Sequence, residues 1–382
     1  MKHKRFTKLL ILLPLVLILI IFTSLFSFHQ EGSSEWNLGQ PIPKEELQIA
    51  IIFLDETVGG YSKAHNIGLQ RAMNELGLRE EQIQRKFNVI DTYPIMSEYV
   101  ITEAISEGAN VIIATSWGYM DMIETLAQVY PHVVFAHASG IKVNNTNFTN
   151  YYGRIYQARY LSGIVAGMKT ESGKIGYVAA MDHSNSEVTS GINAFARGVY
   201  RVNPEAQVLV RITYNWVDYE GELAAARKLI AAGCDIITQH SDTFAPQLAA
   251  EEAGVWSIGY NIDMSEVVPH TVLTSVVWNW EVYYTQLLRS IINGTFTTIP
   301  YMGGLEDGLV ALTDLHPTLT TPEMQMMVRE AKRELLDGTL RIFDGYMVTN
   351  TGQVIEVIDG LPTEDEMVQT MDWYFSNVMV IQ

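Results

Sequence analysis

A single cysteine, Cys234, occurs in the 382 residues. No intramolecular disulfide can form, so the fold must stand on its apolar core. Its setting in AAGCDIITQH, just ahead of an apolar strand pattern, is that of a small buried side chain. Nucleotide fingerprints are missing too. Gly59 and Gly60 follow the first strand pattern, but there is no G-x-G-x-x-G and no glycine loop closed by Gly-Lys-Ser/Thr, which disfavours dinucleotide and ATP chemistry. No G-x-S-x-G is present, and Cys234 lies at the N-terminal end of its strand, the wrong end for a nucleophile. Bases are scarce as well: 25 Lys and Arg stand against 43 Asp and Glu, and four of those bases (Lys2, Lys4, Arg5, Lys8) fall in the first eight residues. The remaining chain, near −22 by that count, repels phosphate backbones and anionic lipid, so nucleic acid is not an expected partner.

Long apolar runs are confined to residues 9–28, directly behind those four bases. About twenty such residues are enough to cross a bilayer once, so residues 1–29 read as a signal peptide or signal anchor. Phe26 and Phe28 crowd Ser27, the small residue nearest a cleavage site, and this favours an uncleaved anchor. No cysteine follows the run, which argues against a lipidated N-terminus. Residues 30–47 mix Gly, Ser, Pro and charge without apolar periodicity and read as a tether.

From Gln48 onward, apolar strands alternate with amphipathic helices. Strands are expected at 48–54, 87–93, 111–116 and 133–138, with helices at 61–77, 97–107 and 118–129 between them. After a helix over 156–169 the rhythm restarts, with strands at 174–180, 206–213, 235–240 and 256–260 and helices at 185–201, 218–232 and 244–253. Such alternation predicts α/β architecture, two doubly wound parallel-sheet lobes with a hinge and a cleft between them. The strand at 273–279, a helix over 280–292, a helix capped by Thr321 with Pro322 in its first turn, and a hairpin at Asn350 to Gly352 complete the chain. The expected lobes are 48–152 plus about 273–303, and 153–272 plus about 304–382, with crossings near 153–155, 271–273 and 300–315.

Ligand sites in open α/β sheets form at the C-terminal ends of strands. There the sequence places TSWGYMD (115–121), QHSDT (239–243), IGYNIDM (258–264) and LTSVVWNW (273–280). Tyr61 follows the glycine turn of the first unit, and Trp216 holds the equivalent loop of the second. Two rings facing each other across a cleft would sandwich a flat ligand, and one such stack is worth roughly 1–3 kcal/mol. Trp117, Tyr119, Trp278 and Trp280 are further aromatic candidates. Asp242, Asn261 and Asp263 supply polar groups suited to ring nitrogens or sugar hydroxyls. His240 and Asp242 form the nearest approach to a metal pair but lack an evident third ligand, so they read as polar cleft groups. His65 is expected as a surface or capping histidine, and His137 as structural or near the hinge. No metal, cofactor or catalytic residue is expected.

GGYSKAHNIGLQRAM, TSWGYMD, GRIYQARYLSGIVAG, KIGYVAA, GINAFARG, AAEEAGVWSIGYNIDM, LTSVVWNW and GGLEDGLVAL together resemble the basic membrane protein family of extracytoplasmic solute-binding proteins, from about Gln48 to the end. The resemblance implies the type I periplasmic binding fold and capture of a purine base or nucleoside for the permease of an ABC importer. It implies that Tyr61 and Trp216 stack on the purine. The family aspartate that holds ribose hydroxyls falls at Asn261, and Glu306 stands where nucleoside-binding relatives often carry lysine. Both departures tilt the expected ligand towards a free base such as adenine. A membrane-tethered purine sensor is the alternative function, and a nucleoside hydrolase the remote one. The expected location is the outer face of the cell membrane, held by residues 9–28, or free of it if the segment is cleaved.

Overall fold

The computed structural model describes residues 39–56 and 60–382, so the apolar run at 9–28, the tether up to 38 and Gly59 lie outside the described residues. Strands with no polar alternation fill the centres of two sheets. IAII (β1, Ile49–Ile52), VIIA (β3, Val111–Ala114) and VFAHA (β4, Val134–Ala138) are buried at every residue, as strands covered on both faces must be. With β2 (Ile83–Lys86), β5 (Phe148–Gly153) and β11 (Tyr301–Gly303) they form a six-stranded sheet in the order β11-β5-β4-β3-β1-β2. All its pairings are parallel. Helices α1 (Gly60–Leu76), α2 (Pro94–Ser106) and α3 (Met120–Val129) link its strands.

The second sheet has seven strands in the order β12-β10-β9-β8-β6-β7-β15. They are β6 (Lys174–Ala179), β7 (Gln207–Ile212), β8 (Ile236–His240), β9 (Trp256–Asn261), β10 (Val272–Trp278), β12 (Val310–Leu312) and β15 (Val378–Val380), with only β12 antiparallel to its neighbour. Helices α4 (Ile155–Lys169), α5 (Ser186–Val202), α6 (Tyr219–Ala231) and α7 (Ala245–Ala253) belong to this lobe, and α8 (Glu281–Ile292) packs on α1 of the first. Helix α9 (Pro322–Leu336) is capped by the Thr321 hydroxyl, which accepts from the Met324 N–H at 3.3 Å. The hairpin of β13 (Gly345–Val348) and β14 (Val354–Val357), then α10 (Glu364–Thr370), lead to β15. Among the described residues, no helix is long and apolar enough to cross a membrane.

Two expectations shift. The strand read at 87–93 is instead β2, four residues earlier, at the sheet edge. Its IQRK sequence gives no apolar signal because an edge strand can hold charge: Arg85 pairs with Glu80, and Lys86 with Glu107 at 2.9 Å. The crossing expected at 271–273 also moves. Strand β10 pairs with β9 and extends the second sheet, so the chain returns to the first lobe at Asn279 and Trp280. An apolar strand pattern does not say which of two sheets the strand joins.

Arg154 ties the other two crossings together. Its guanidinium donates to Asp365 at 2.7 Å, to Glu306 at 2.7 Å and to the Met302 carbonyl at 2.8 Å. Glu306, singled out in the sequence, is therefore engaged at the hinge.

The motif words YLSGIVAG and GINAFARG have a packing cause. They lie on α4 and α5, which cross so closely that a Cβ on Gly163 would sit 2.0 Å from the Phe195 carbonyl oxygen, and one on Gly198 2.0 Å from that of Tyr160. Only glycine lets two helix backbones approach this far. Gly163→Ala is expected to cost about 1–3 kcal/mol, read as a lower midpoint in denaturant unfolding of the full chain; an unchanged midpoint would show that the crossing tolerates a methyl group.

Candidate functional site

The C-terminal ends of both sheets' strands converge between the lobes. At their meeting point stands Asp242, in the loop after β8. Its N–H donates to the Trp216 carbonyl at 2.8 Å, and its own carbonyl accepts from the Gly60 N–H at 2.5 Å. One residue thus fixes the loop bearing Trp216 and the helix start bearing Tyr61, from opposite lobes. Gly60 is required here, since a Cβ would lie 2.9 Å from that of Asn261.

Asn261, at the end of β9, is buried and left-handed at φ 69°, a conformation asparagine tolerates better than most residues. Its amide donates to Asp242 Oδ1 at 2.9 Å. Burial pushes the Asp242 carboxyl well above the usual carboxylate range; the Asn261 hydrogen bond opposes this, and the charges of Glu222, Asp55 and Glu187 add to it.

Tyr61 meets His65 edge-on at 4.5 Å. His65 in turn stacks on Trp280 at 4.3 Å, and Trp280 on Trp278 at 4.6 Å. His65 is not the surface group expected. It is fully buried, its Nδ1 lies 2.5 Å from the Tyr284 hydroxyl, and burial holds its pKa well below the usual value. Trp278 is buried beside the hinge, against Tyr152 at 5.3 Å, and packs there with Gly153. On the other lobe Trp216 stands edge-on to His240 at 6.0 Å.

Two expected site residues, Tyr119 and Asp263, are turned away from the junction. Tyr119 is 0% exposed in the first lobe's core, with its hydroxyl donating to the Val89 carbonyl. It has no surface to offer a ligand. Asp263 is exposed, and its carboxylate caps a turn by accepting from the Ser265 N–H at 2.9 Å. Trp117 stands 52% exposed on the turn after β3. A strand end marks the right edge of a sheet but not the direction of each side chain there.

Sequence reasoning missed a group centred on His240. The imidazole is buried, with Nε2 3.1 Å from the Tyr260 hydroxyl and Nδ1 3.5 Å from that of Tyr177. Burial, reinforced by the charge of Arg159, lowers its pKa to about 4. Arg159 is itself fully buried, its guanidinium 3.8 Å from the Tyr260 ring centre and without a hydrogen-bond acceptor among the described residues. Ring faces stand in for a carboxylate. Glu187, in the first turn of α5, accepts from the Tyr152 hydroxyl of the opposite lobe and lies 3.6 Å from His240 Nε2. A lone acid at a helix start is too common a pattern to have been singled out.

A family model described as PnrA-like ABC transporter substrate-binding protein matches residues 55–339. A protein of Haloferax volcanii named for an ABC transporter and glucose binding is 34% identical over 309 residues, covering 80% of this chain and 76% of its own. A purine-binding protein of Brucella abortus is 29% identical over 336 residues, 88% of this chain and 93% of its own. Among solved structures, an ABC transporter solute-binding protein from Conexibacter woesei superposes with a TM-score of 0.65 at 21% identity, over 77% of this chain and 98% of its own, a likeness of fold.

The loop carrying Asp242 rests on Glu222, fully buried in α6, whose Oε2 accepts from the Ser241 and Thr243 hydroxyls, each at 2.8 Å. Burial raises the Glu222 pKa from 4.5 to about 7, against the pull of those hydrogen bonds. Between those values the folded state holds the extra proton, so this group's contribution to stability falls as pH rises from about 4.5 to 7. His137 and His240, both lowered to about 4 by burial, act in the opposite sense and cost stability as pH drops from 6.5 towards 4. Glu222→Gln removes the first effect alone. Its stability relative to the parent should improve by about 2–3 kcal/mol between pH 5 and pH 8, measured by denaturant unfolding at both; a difference flat with pH would mean that Glu222 ionises normally.

Proposed function

The chain belongs to the Bmp family of PnrA-like ABC transporter substrate-binding proteins, and we propose that it captures a purine between its lobes for the permease of an ABC importer, a free base such as adenine in preference to a nucleoside. In this reading residues 9–28 hold it at the outer face of the membrane. The observation that carries the purine is the backbone of Asp242, which fastens the Tyr61 and Trp216 segments to one point from opposite sides. One aromatic side chain carried by each lobe would suit a flat heterocycle between them, and each stack contributes roughly 1–3 kcal/mol. A Brucella relative named for purine binding, matched over 88% of this chain, supports it.

Preference for the base rests on Asn261. The amide that stands where the family resemblance places a ribose-binding aspartate donates to Asp242 at 2.9 Å. A diol at this position would meet no free carboxylate from Asn261. The Glu187 carboxylate weighs against a phosphorylated ligand, and Arg159, the cation near it, is sealed beneath Tyr260. Sugar is the second reading, favoured by the Haloferax relative, whose name specifies glucose.

Titration calorimetry of the full-length chain with adenine, adenosine and glucose separates these readings. Adenine should bind at micromolar affinity or tighter, adenosine more weakly, and glucose without measurable heat. Trp216→Ala should weaken adenine about ten- to a hundredfold. Affinity unchanged within twofold would remove Trp216 from the ligand, equal binding of adenosine would remove the preference for a base, and binding of glucose alone would replace the purine.

A further inference from the structure

We propose that Glu187 is the specificity-determining carboxylate of this site, accepting an N–H from the ligand's edge while it accepts the Tyr152 hydroxyl from the opposite lobe. The inference rests on the interlobe space being the ligand site.

The helix carrying Glu187 runs for 17 residues from Ser186 to Val202, and the Asn185 side chain caps it by accepting from the Val188 N–H at 3.0 Å. Of the two Glu187 oxygens, Oε1 takes the Tyr152 hydroxyl and faces His240 Nε2 at 3.6 Å, while Oε2 receives no hydrogen bond among the described residues. The side chain keeps 29% of its surface open, although the groups around it, His240, Asp242 and Tyr260, are buried. Its charge is felt by Tyr61 and Tyr152 of the first lobe and by His240, Asp242 and Tyr260 of the second. With Oε1 against Tyr152 of the first lobe and near His240 of the second, the carboxylate lies between them.

The other acids nearby are already engaged. The Asp242 carboxyl holds the Asn261 amide, and Glu222 holds Ser241 and Thr243. Among the described residues no salt bridge to Lys or Arg occupies Glu187, and its close neighbour His240 is kept neutral near pH 7 by burial and by Arg159. An ionised carboxylate only accepts, so its partner must bring a donor. Adenine does so with its amino group and a ring N–H; an edge of bare ring nitrogens or a phosphate does not. A site built to bond such a donor rejects analogues that lack it far more strongly than it rejects a change of size.

The test uses the full-length chain and three variants: Glu187→Gln, Glu187→Asp, which keeps the charge but withdraws it by one methylene, and Tyr152→Phe. Calorimetry with adenine, purine lacking the amino group, and glucose gives the dissociation constants, and thermal melting checks folding. Glu187→Gln and Glu187→Asp should each weaken adenine ten- to a hundredfold, and Glu187→Gln should shrink the parent's preference for adenine over purine to within threefold. Tyr152→Phe, which leaves Oε2 in place, should cost less than tenfold. Adenine bound within twofold of the parent by a folded Glu187→Gln would overturn the assignment and leave the purine reading standing. A parent that binds glucose and not adenine would end the purine reading, and Glu187 would then be judged by whether the same variants weaken glucose. Silence towards all three ligands would overturn both.

Discussion

Both hydrogen-bonding groups of the Asp242 backbone are committed, the N–H to the Trp216 loop of its own lobe and the carbonyl to Gly60 at the start of α1 in the other. Buried backbone groups must be paired, so these two bonds leave little choice in where the two segments lie. The side chain is equally committed, through Asn261. Asn261 in turn leans on the missing side chain of Gly60. A bulkier residue at 60 would part the lobes at the point where they are tied.

Stacked rings continue that tie into the hinge. Trp278 ends a strand of the second lobe, Trp280 lies at the crossing, and His65 belongs to the first helix, yet their rings lie nearly parallel in sequence, 13° and 12° apart. Stacked aromatics favour offset arrangements over one perfectly eclipsed register. This suits a joint between rigid bodies that bends in a few residues. On the far side Arg154 spans three chain segments through Glu306, Asp365 and the Met302 carbonyl. Polar and aromatic ties thus divide the hinge between them.

Much of this was legible in the sequence, and the rest failed for physical reasons. Central strands such as Ile49–Ile52 and Val111–Ala114 announce themselves because both faces are covered. Edge strands such as Ile83–Lys86 and the three-residue β11, β12 and β15 carry no such mark. Loops at strand ends located Tyr61, Trp216, Asp242 and Asn261 at the junction, but the same logic nominated Tyr119 and Asp263, whose side chains turn into the core and out to solvent. Periodicity finds the edge of a sheet; direction depends on local backbone angles that it does not encode. Arg159 and Glu187 stayed hidden because a basic residue inside a helix and an acid at its start are ordinary on a solvated surface, and only packing shows that one is sealed and the other faces the opposite lobe.

Strand order also governs when each half can be finished. The first sheet waits for Tyr301–Gly303 to lie beside Phe148–Gly153, and the second for Val378–Val380 to lie beside Gln207–Ile212. The partners lie roughly 150 residues apart in the first sheet and roughly 170 in the second, a delay of about 10–30 s at a synthesis rate of about 5–20 residues per second. The first sheet can therefore be completed well before the second, whose outer strand lies about 75 residues further along the chain.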